Sequence, residues 1–64
     1  MIPLERLTKF RNELADLCEK YDIELDTETD DRIGARPAES AMDCAFDFPP
    51  NSTPYEIRNA QIQL

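Results

Sequence analysis

The chain lacks histidine entirely, and its 64 residues include only one glycine and two cysteines. A closed structural zinc site takes four Cys or His ligands, so Cys18 and Cys44 alone cannot complete one. A single glycine, Gly34, cannot supply the glycine-rich loop that cradles a phosphate. Acid–base catalysis would depend on Asp, Glu or Tyr, and no nucleophile stands beside an identifiable base. We therefore expect no enzyme activity, no catalytic residue, no cofactor and no bound metal.

Long apolar runs are also lacking. The chain begins Met-Ile-Pro-Leu-Glu-Arg, without the apolar stretch of a signal peptide, and no segment approaches the length of a membrane span. Cys18 and Cys44 both fall on predicted apolar faces, which indicates reduced, buried thiols, with a disulfide between them as the alternative. These features predict a cytoplasmic protein that does not contact membranes.

The length of the chain limits it to one small core. A chain of this size buries only about 60 % of the surface that it exposes when unfolded. We expect residues 1–64 to form a single α+β domain of marginal stability. Small domains often gain support from a disulfide, a metal or a partner subunit, so a homo-oligomer stays open as an alternative.

The first third of the chain has the period of an amphipathic helix. Apolar residues recur at spacings of three and four, at Leu4, Leu7, Phe10, Leu14, Leu17, Cys18 and Tyr21. Pro3 suits the first helical position, because the N–H that it lacks would be unpaired there. The pattern predicts a helix over residues 3–20. Its core-facing residues are expected to be Leu7, Phe10, Leu14 and Leu17.

Beyond the helix the period changes from 3.6 to 2. Acids alternate with Ile23, Leu25 and two threonines, which predicts a strand over residues 21–29. Residues 30–40 contain Gly34 and Pro37 and are expected to form an exposed loop. A second strand is predicted from the apolar residues that alternate with Asp43, Ala45 and Asp47, namely Met42, Cys44, Phe46 and Phe48.

The C-terminal segment, residues 54–64, has two interpretations. Thr53-Pro54-Tyr55-Glu56 has the form of a capping box with proline at the first helical position. Residues 60–64 instead alternate as in a strand. A third strand is slightly favoured, because a two-stranded hairpin is weak cover for a helix. The expected fold is an N-terminal amphipathic helix packed on a small antiparallel sheet of two to three strands.

The acids are concentrated in one part of the chain. The formal net charge is −7; residues 21–31 hold six acids and no base, whereas residues 1–20 sum to zero. On a strand, acids at alternate positions would share one face at roughly 6.8 Å intervals, which resembles the charge of a nucleic-acid strand. Direct binding of DNA, RNA or an anionic membrane is disfavoured, because these ligands attract basic surfaces.

These charges predict a small protein-binding module that occupies a basic surface of a partner, such as a nucleic-acid-binding groove, as an inhibitor or nucleic-acid mimic. The candidate partner-binding residues are Asp22, Glu24, Asp26, Glu28, Asp30, Asp31, Asp43 and Asp47. One alternative is that the acids are only the solvated face of a strand. Another is a structural or homo-oligomerising accessory protein without a charged ligand.

A weak divalent-cation binder is the remaining alternative. Asp26, Glu28 and Asp30 match the first ligand positions of an EF-hand calcium loop. The match then fails, because Asp31 stands where glycine makes the sharp turn and Pro37 stands where the bidentate glutamate belongs. We therefore expect no EF-hand.

Residues 3–25, Pro-Leu-Glu-Arg-Leu-Thr-Lys-Phe-Arg-Asn-Glu-Leu-Ala-Asp-Leu-Cys-Glu-Lys-Tyr-Asp-Ile-Glu-Leu, resemble the helix-then-strand start of small phage-encoded accessory proteins. The resemblance covers about a third of the chain and includes no diagnostic motif. It implies a host-takeover or anti-defence setting, in which small acidic proteins block nucleic-acid-binding sites.

Overall fold

A computed structural model describes residues 3–39 and 44–63. They form helix α1 (Pro3–Tyr21), strand β1 (Ile33–Ala35), strand β2 (Phe46–Phe48) and helix α2 (Pro54–Arg58). The predicted α+β fold, with an N-terminal helix and a small antiparallel sheet, is confirmed. Neither helix of the described residues is long and apolar enough to cross a membrane.

Helix α1 ends in a turn that changes the course of the chain. The N–H of Ile23 donates to the carbonyl of Cys18 (3.0 Å), and the N–H of Asp22 donates to that of Glu19 (3.4 Å). Asp22 has a φ of 55°, the left-handed conformation typical of the residue after a helix in a Schellman motif. The predicted strand over residues 21–29 is therefore wrong: Tyr21 belongs to the helix, and residues 23–29 form no strand in the described structure.

The sheet forms from a different pair of segments. β1 and β2 are antiparallel, with Ile33 opposite Phe48 and Ala35 opposite Phe46. β2 lies in the predicted second strand, whereas β1 lies in the stretch predicted as a loop. Gly34 allows the close approach of the chain before β2, because a Cβ atom on it would stand 3.3 Å from the Cβ of Cys44.

The C-terminal segment begins as a helix, so the preference for a third strand over residues 54–64 is wrong. The Thr53 hydroxyl accepts from the N–H of Glu56 (3.2 Å), and the Glu56 carboxylate accepts from the N–H of Thr53 (3.0 Å). This capping box starts α2 at Pro54. Residues 60–63 then run past Ala45, whose carbonyl accepts from the N–H of Gln63 (2.7 Å).

Helix α1 buries fewer and smaller side chains than its apolar stripe predicts. The buried apolar residues of the described chain are Leu7, Ala15, Cys18, Ala45, Phe46, Phe48 and Ile57. Leu14 is half-buried, while Phe10 and Leu17 are 50 % and 52 % exposed, so the prediction that these two face the core is wrong. α2 packs against α1, and the fully buried Ala15 leaves room for a close approach of the chain.

Polar contacts join α1 to the C-terminal part of the chain. The Arg11 guanidinium donates to the carbonyl of Ala60 (2.7 Å). Arg58 of α2 pairs with Asp16 (2.6 Å) and more distantly with Glu19 (3.6 Å). The hydrogen bond to Asp16 raises the pKa of Arg58 above its ordinary value. These contacts hold α2 and residues 60–63 on one side of α1.

Candidate interaction surface

The acidic segment, defined as residues 22–31, follows α1 directly and is irregular, with a bend at residues 28–30. All six of its carboxylates are exposed: Asp22, Glu24, Asp26, Glu28, Asp30 and Asp31. The sequence predicts this exposure correctly. It does not predict the path of the backbone, which is irregular here. The carboxylates therefore lack the even spacing that a strand would give them.

The acidic segment is attached to the body of the protein through its less polar residues. The carbonyl of Leu25 accepts a hydrogen bond from the N–H of Asn51 (2.8 Å), in the turn after β2. Asn51 has a φ of 63°, a conformation that asparagine tolerates better than most residues. Leu25 and Thr27 are half-buried between exposed acids. Over residues 24–28 the alternation seen in the sequence therefore corresponds to alternating burial without strand pairing, whereas Ile23 and Thr29 are exposed.

Short-range hydrogen bonds shape the bend. The Asp26 carboxylate accepts from the N–H of Thr27 (2.8 Å), and the Thr27 hydroxyl donates to the carbonyl of Thr29. The Thr29 hydroxyl donates to the Asp31 carboxylate (2.9 Å) and accepts from the N–H of Asp31 (3.3 Å). Asp26 and Asp31 thus support the local structure as well as carrying charge.

The carboxylates of Glu24, Glu28 and Asp30 have no ion pair among the described residues. Those described acids that do pair with arginine, namely Asp16, Glu19, Glu39 and Asp47, all lie outside the acidic segment. The segment therefore presents negative charge that the described part of the protein does not neutralise.

Of the two acids predicted from the second strand, Asp47 does not extend this surface. Asp47 lies on β2 opposite Gly34 and is paired with Arg32, whose Nε donates to its carboxylate (2.9 Å). The strand pairing that would have placed Asp47 beside the acidic segment does not form. Asp43 lies outside the described residues.

An apolar groove adjoins the acidic segment. It has a volume of about 290 Å³ and is lined by Leu14, Leu17, Cys18, Tyr21, Ile23 and Leu25. The sequence interpretation missed this groove because it assigned the α1 residues to the core and Ile23 to a strand. The available signal was the width of the apolar stripe, which spreads over more of the helix than one small core covers.

A larger groove of about 460 Å³ lies between the first half of α1 and residues 34–39. An ion pair between Arg6 and Glu39 lies at its edge. The hydrogen bond from Arg6 lowers the pKa of the Glu39 carboxyl. A lowered pKa means that the pair stabilises the fold above the pKa of an unfolded glutamate and loses this effect on acidification. Both signs of charge line this groove, unlike the acidic segment.

In the described part of the chain, no three Asp, Glu or Cys side chains come close enough together to hold a metal ion. Comparisons with protein-family models, with curated proteins and with solved structures find no match to the chain. The interpretation of this surface therefore depends on its geometry and charge.

Asp22 has a structural role that can be separated from its charge. Replacing Asp22 with glycine should stabilise the protein, because glycine adopts a φ of 55° without the steric cost of a side chain. We expect the free energy of unfolding in urea to rise by up to about 1 kcal/mol. Asp22→Ala is the control, since it removes the same charge and keeps a Cβ atom, without asparagine's tolerance of the left-handed conformation. An equal gain in both variants would assign the effect to charge repulsion instead.

Proposed function

We propose that the protein is a small acidic binding module that docks its acidic segment on a basic surface of another protein and so blocks that surface. The observation that carries the proposal is the set of six exposed carboxylates in residues 22–31, with no lysine or arginine among them. An arrangement of this kind attracts cationic surfaces over distances of about one Debye length and speeds their encounter.

The anchoring of the acidic segment supports this proposal. The backbone hydrogen bond between Asn51 and Leu25, and the threonine hydrogen bonds at the bend, hold the segment in one shape before a partner arrives. Binding then orders fewer groups, so less of the interaction energy is lost to conformational entropy. A cationic partner would also relieve the repulsion between neighbouring carboxylates, which is a further gain available only in the complex.

A basic nucleic-acid-binding groove is the kind of surface that this charge density suits best. The proposal depends on charge density and not on phosphate-like spacing, because the segment is bent and unpaired. The host-takeover setting implied by the resemblance of residues 3–25 to phage accessory proteins is consistent with such a target, and a cytoplasmic location follows from the same proposal.

Two variants that each neutralise two carboxylates test the proposal. Glu24→Gln/Glu28→Gln removes two unpaired acids of the segment, and Glu5→Gln/Glu19→Gln removes two acids of α1, so both variants have the same net charge. We expect the first to bind an immobilised lysine-rich peptide about fivefold more weakly than the wild type at 50 mM salt, from two lost exposed ion pairs. The second should bind within about twofold of the wild type.

Salt dependence completes this test. Raising the salt to 300 mM should weaken the wild type more than Glu24→Gln/Glu28→Gln, because that variant has fewer charges to screen. Equal affinities of the two variants, with equal slopes against salt, would show that net charge alone governs binding, and the acidic segment would lose its proposed role.

A further inference from the structure

The apolar groove beside the acidic segment is lined largely by exposed side chains. Three of its lining side chains are more than half exposed: Leu17 at 52 %, Tyr21 at 59 % and Ile23 at 54 %. They are contiguous with the half-buried Leu14 and Leu25. A continuous apolar patch of this kind, bordered by charges, is characteristic of an interaction site.

Both walls of the groove are held in position. On one side, the hydrogen-bonded end of α1 sends Ile23 back towards Cys18, the contact that accompanies a Schellman motif. On the other side, Leu25 is tied to Asn51 through its carbonyl. The groove is therefore formed before binding, as is usual for sites that accept apolar side chains.

Charged residues border the groove on two sides, and the side formed by the acidic segment is negative. Along residues 21–26, the lining residues Tyr21, Ile23 and Leu25 alternate with exposed acids. On the helix side, Glu13 and Asp16 border the adjoining surface, which shares Leu17 with the groove. That surface also carries one base, Lys20, whose Nζ lies 5.2 Å from the centre of the Tyr21 ring. On the helix side Asp16 is already paired with Arg58, and Glu13 and Lys20 balance each other. The negative border is therefore the acidic segment, which complements a ligand with positive charge beside an apolar stripe.

A second copy of this chain fits the groove poorly. A symmetric dimer would bring two copies of the acidic segment into one interface. The net charge of −7 adds a general repulsion between copies. An amphipathic helix with lysine or arginine beside its apolar face would instead place opposite charge against the acidic segment.

We propose that this groove receives the apolar face of a cationic amphipathic helix belonging to the partner, in the helix-in-groove mode of recognition. This inference depends on the proposed function and specifies the partner of the same surface. The acidic segment attracts the helix, and Leu17, Tyr21 and Ile23 bind its apolar side chains.

A pair of synthetic peptides tests the inference. One has leucines at positions i, i+3, i+4 and i+7 with lysines elsewhere, and the other has the same composition in scrambled order. We expect fluorescence anisotropy to show at least tenfold tighter binding of the patterned peptide. Leu17→Gln should reduce that preference to less than threefold. Leu4→Gln should leave it unchanged, because Leu4 is 45 % exposed on the same helix and lies outside the groove.

The variants separate the two proposals. Suppose Leu17→Gln leaves binding of the patterned peptide unchanged while Glu24→Gln/Glu28→Gln weakens it. The groove is then not used, and the acidic segment keeps its role. Insensitivity to both variants would overturn both proposals. Equal binding of a patterned leucine–glutamine peptide would overturn the requirement for positive charge. Dimerisation of the protein alone in sedimentation experiments, abolished by Leu17→Gln, would assign the groove to a second copy.

Discussion

Replacing Phe46 with alanine is expected to unfold most of the protein at room temperature. Phe46 is 2 % exposed, and its ring lies 6.3 Å from that of Phe10 and 6.5 Å from that of Phe48, between ring centres. Truncating a buried phenylalanine costs about 3–5 kcal/mol. A core in a domain of this size rarely supplies more than about 3–5 kcal/mol in total. Circular dichroism should therefore show loss of helix signal at 25 °C.

Tyr55→Ala is the matched control for this experiment. Tyr55 is 73 % exposed on α2, so its removal leaves no cavity and should change the free energy of unfolding by no more than about 0.5 kcal/mol. A Phe46→Ala protein that melts within a few degrees of the wild type would show that the aromatic cluster around β2 is not the centre of the core.

Local sequence signals predict where the two helices begin, because the residues that start each helix are close together in the sequence. Pro3 begins α1, and the reciprocal hydrogen bonds of Thr53 and Glu56 begin α2. Both signals depend on residues within one turn of each other, so no tertiary contact is needed to interpret them. The alternation of residues 60–63 does not indicate a strand, because these residues run past Ala45 after the helix has ended.

The strands could not be placed in the same way. The helix ends at an aspartate in a left-handed conformation, a position where glycine is the usual signal. Without that signal, the alternating acids after the helix predict a strand. β1 has only three residues, including Gly34, and its pairing with β2 spans a long separation along the chain. Such a pairing is set by tertiary contacts and not by local propensity.

The candidate surface, too, is predictable from the sequence only in part. Exposure of the six acids follows from their charge, since unpaired carboxylates are rarely buried. The ion pair between Asp47 and Arg32 depends on the β1–β2 register, which the sequence does not reveal. The apolar groove depends on the rotation of α1 about its axis. A stripe of apolar residues predicts that one face is covered, but it does not say how much of that face the rest of a small chain can reach.

The rotation of α1 can be tested with two substitutions of the same kind. Leu7 is 4 % exposed and Leu17 is 52 % exposed, both within α1. Leu7→Ala should cost about 2–5 kcal/mol, whereas Leu17→Ala should cost less than about 1 kcal/mol. Leucine and alanine both favour helix, so the difference between the variants reports burial. Urea denaturation at several protein concentrations measures both values with the same slope analysis.

If Leu17→Ala costs more than expected, the dependence of that cost on protein concentration distinguishes burial within one molecule from cover by a second copy. Equal costs at every protein concentration would mean that both leucines are buried within one molecule, and α1 would then be rotated towards the stripe predicted from the sequence. A cost of Leu17→Ala that grows with protein concentration would mean that a second copy covers this residue, because stability that depends on association rises by mass action. A small cost at all concentrations leaves Leu17 exposed in the free protein, as docking of a separate partner requires.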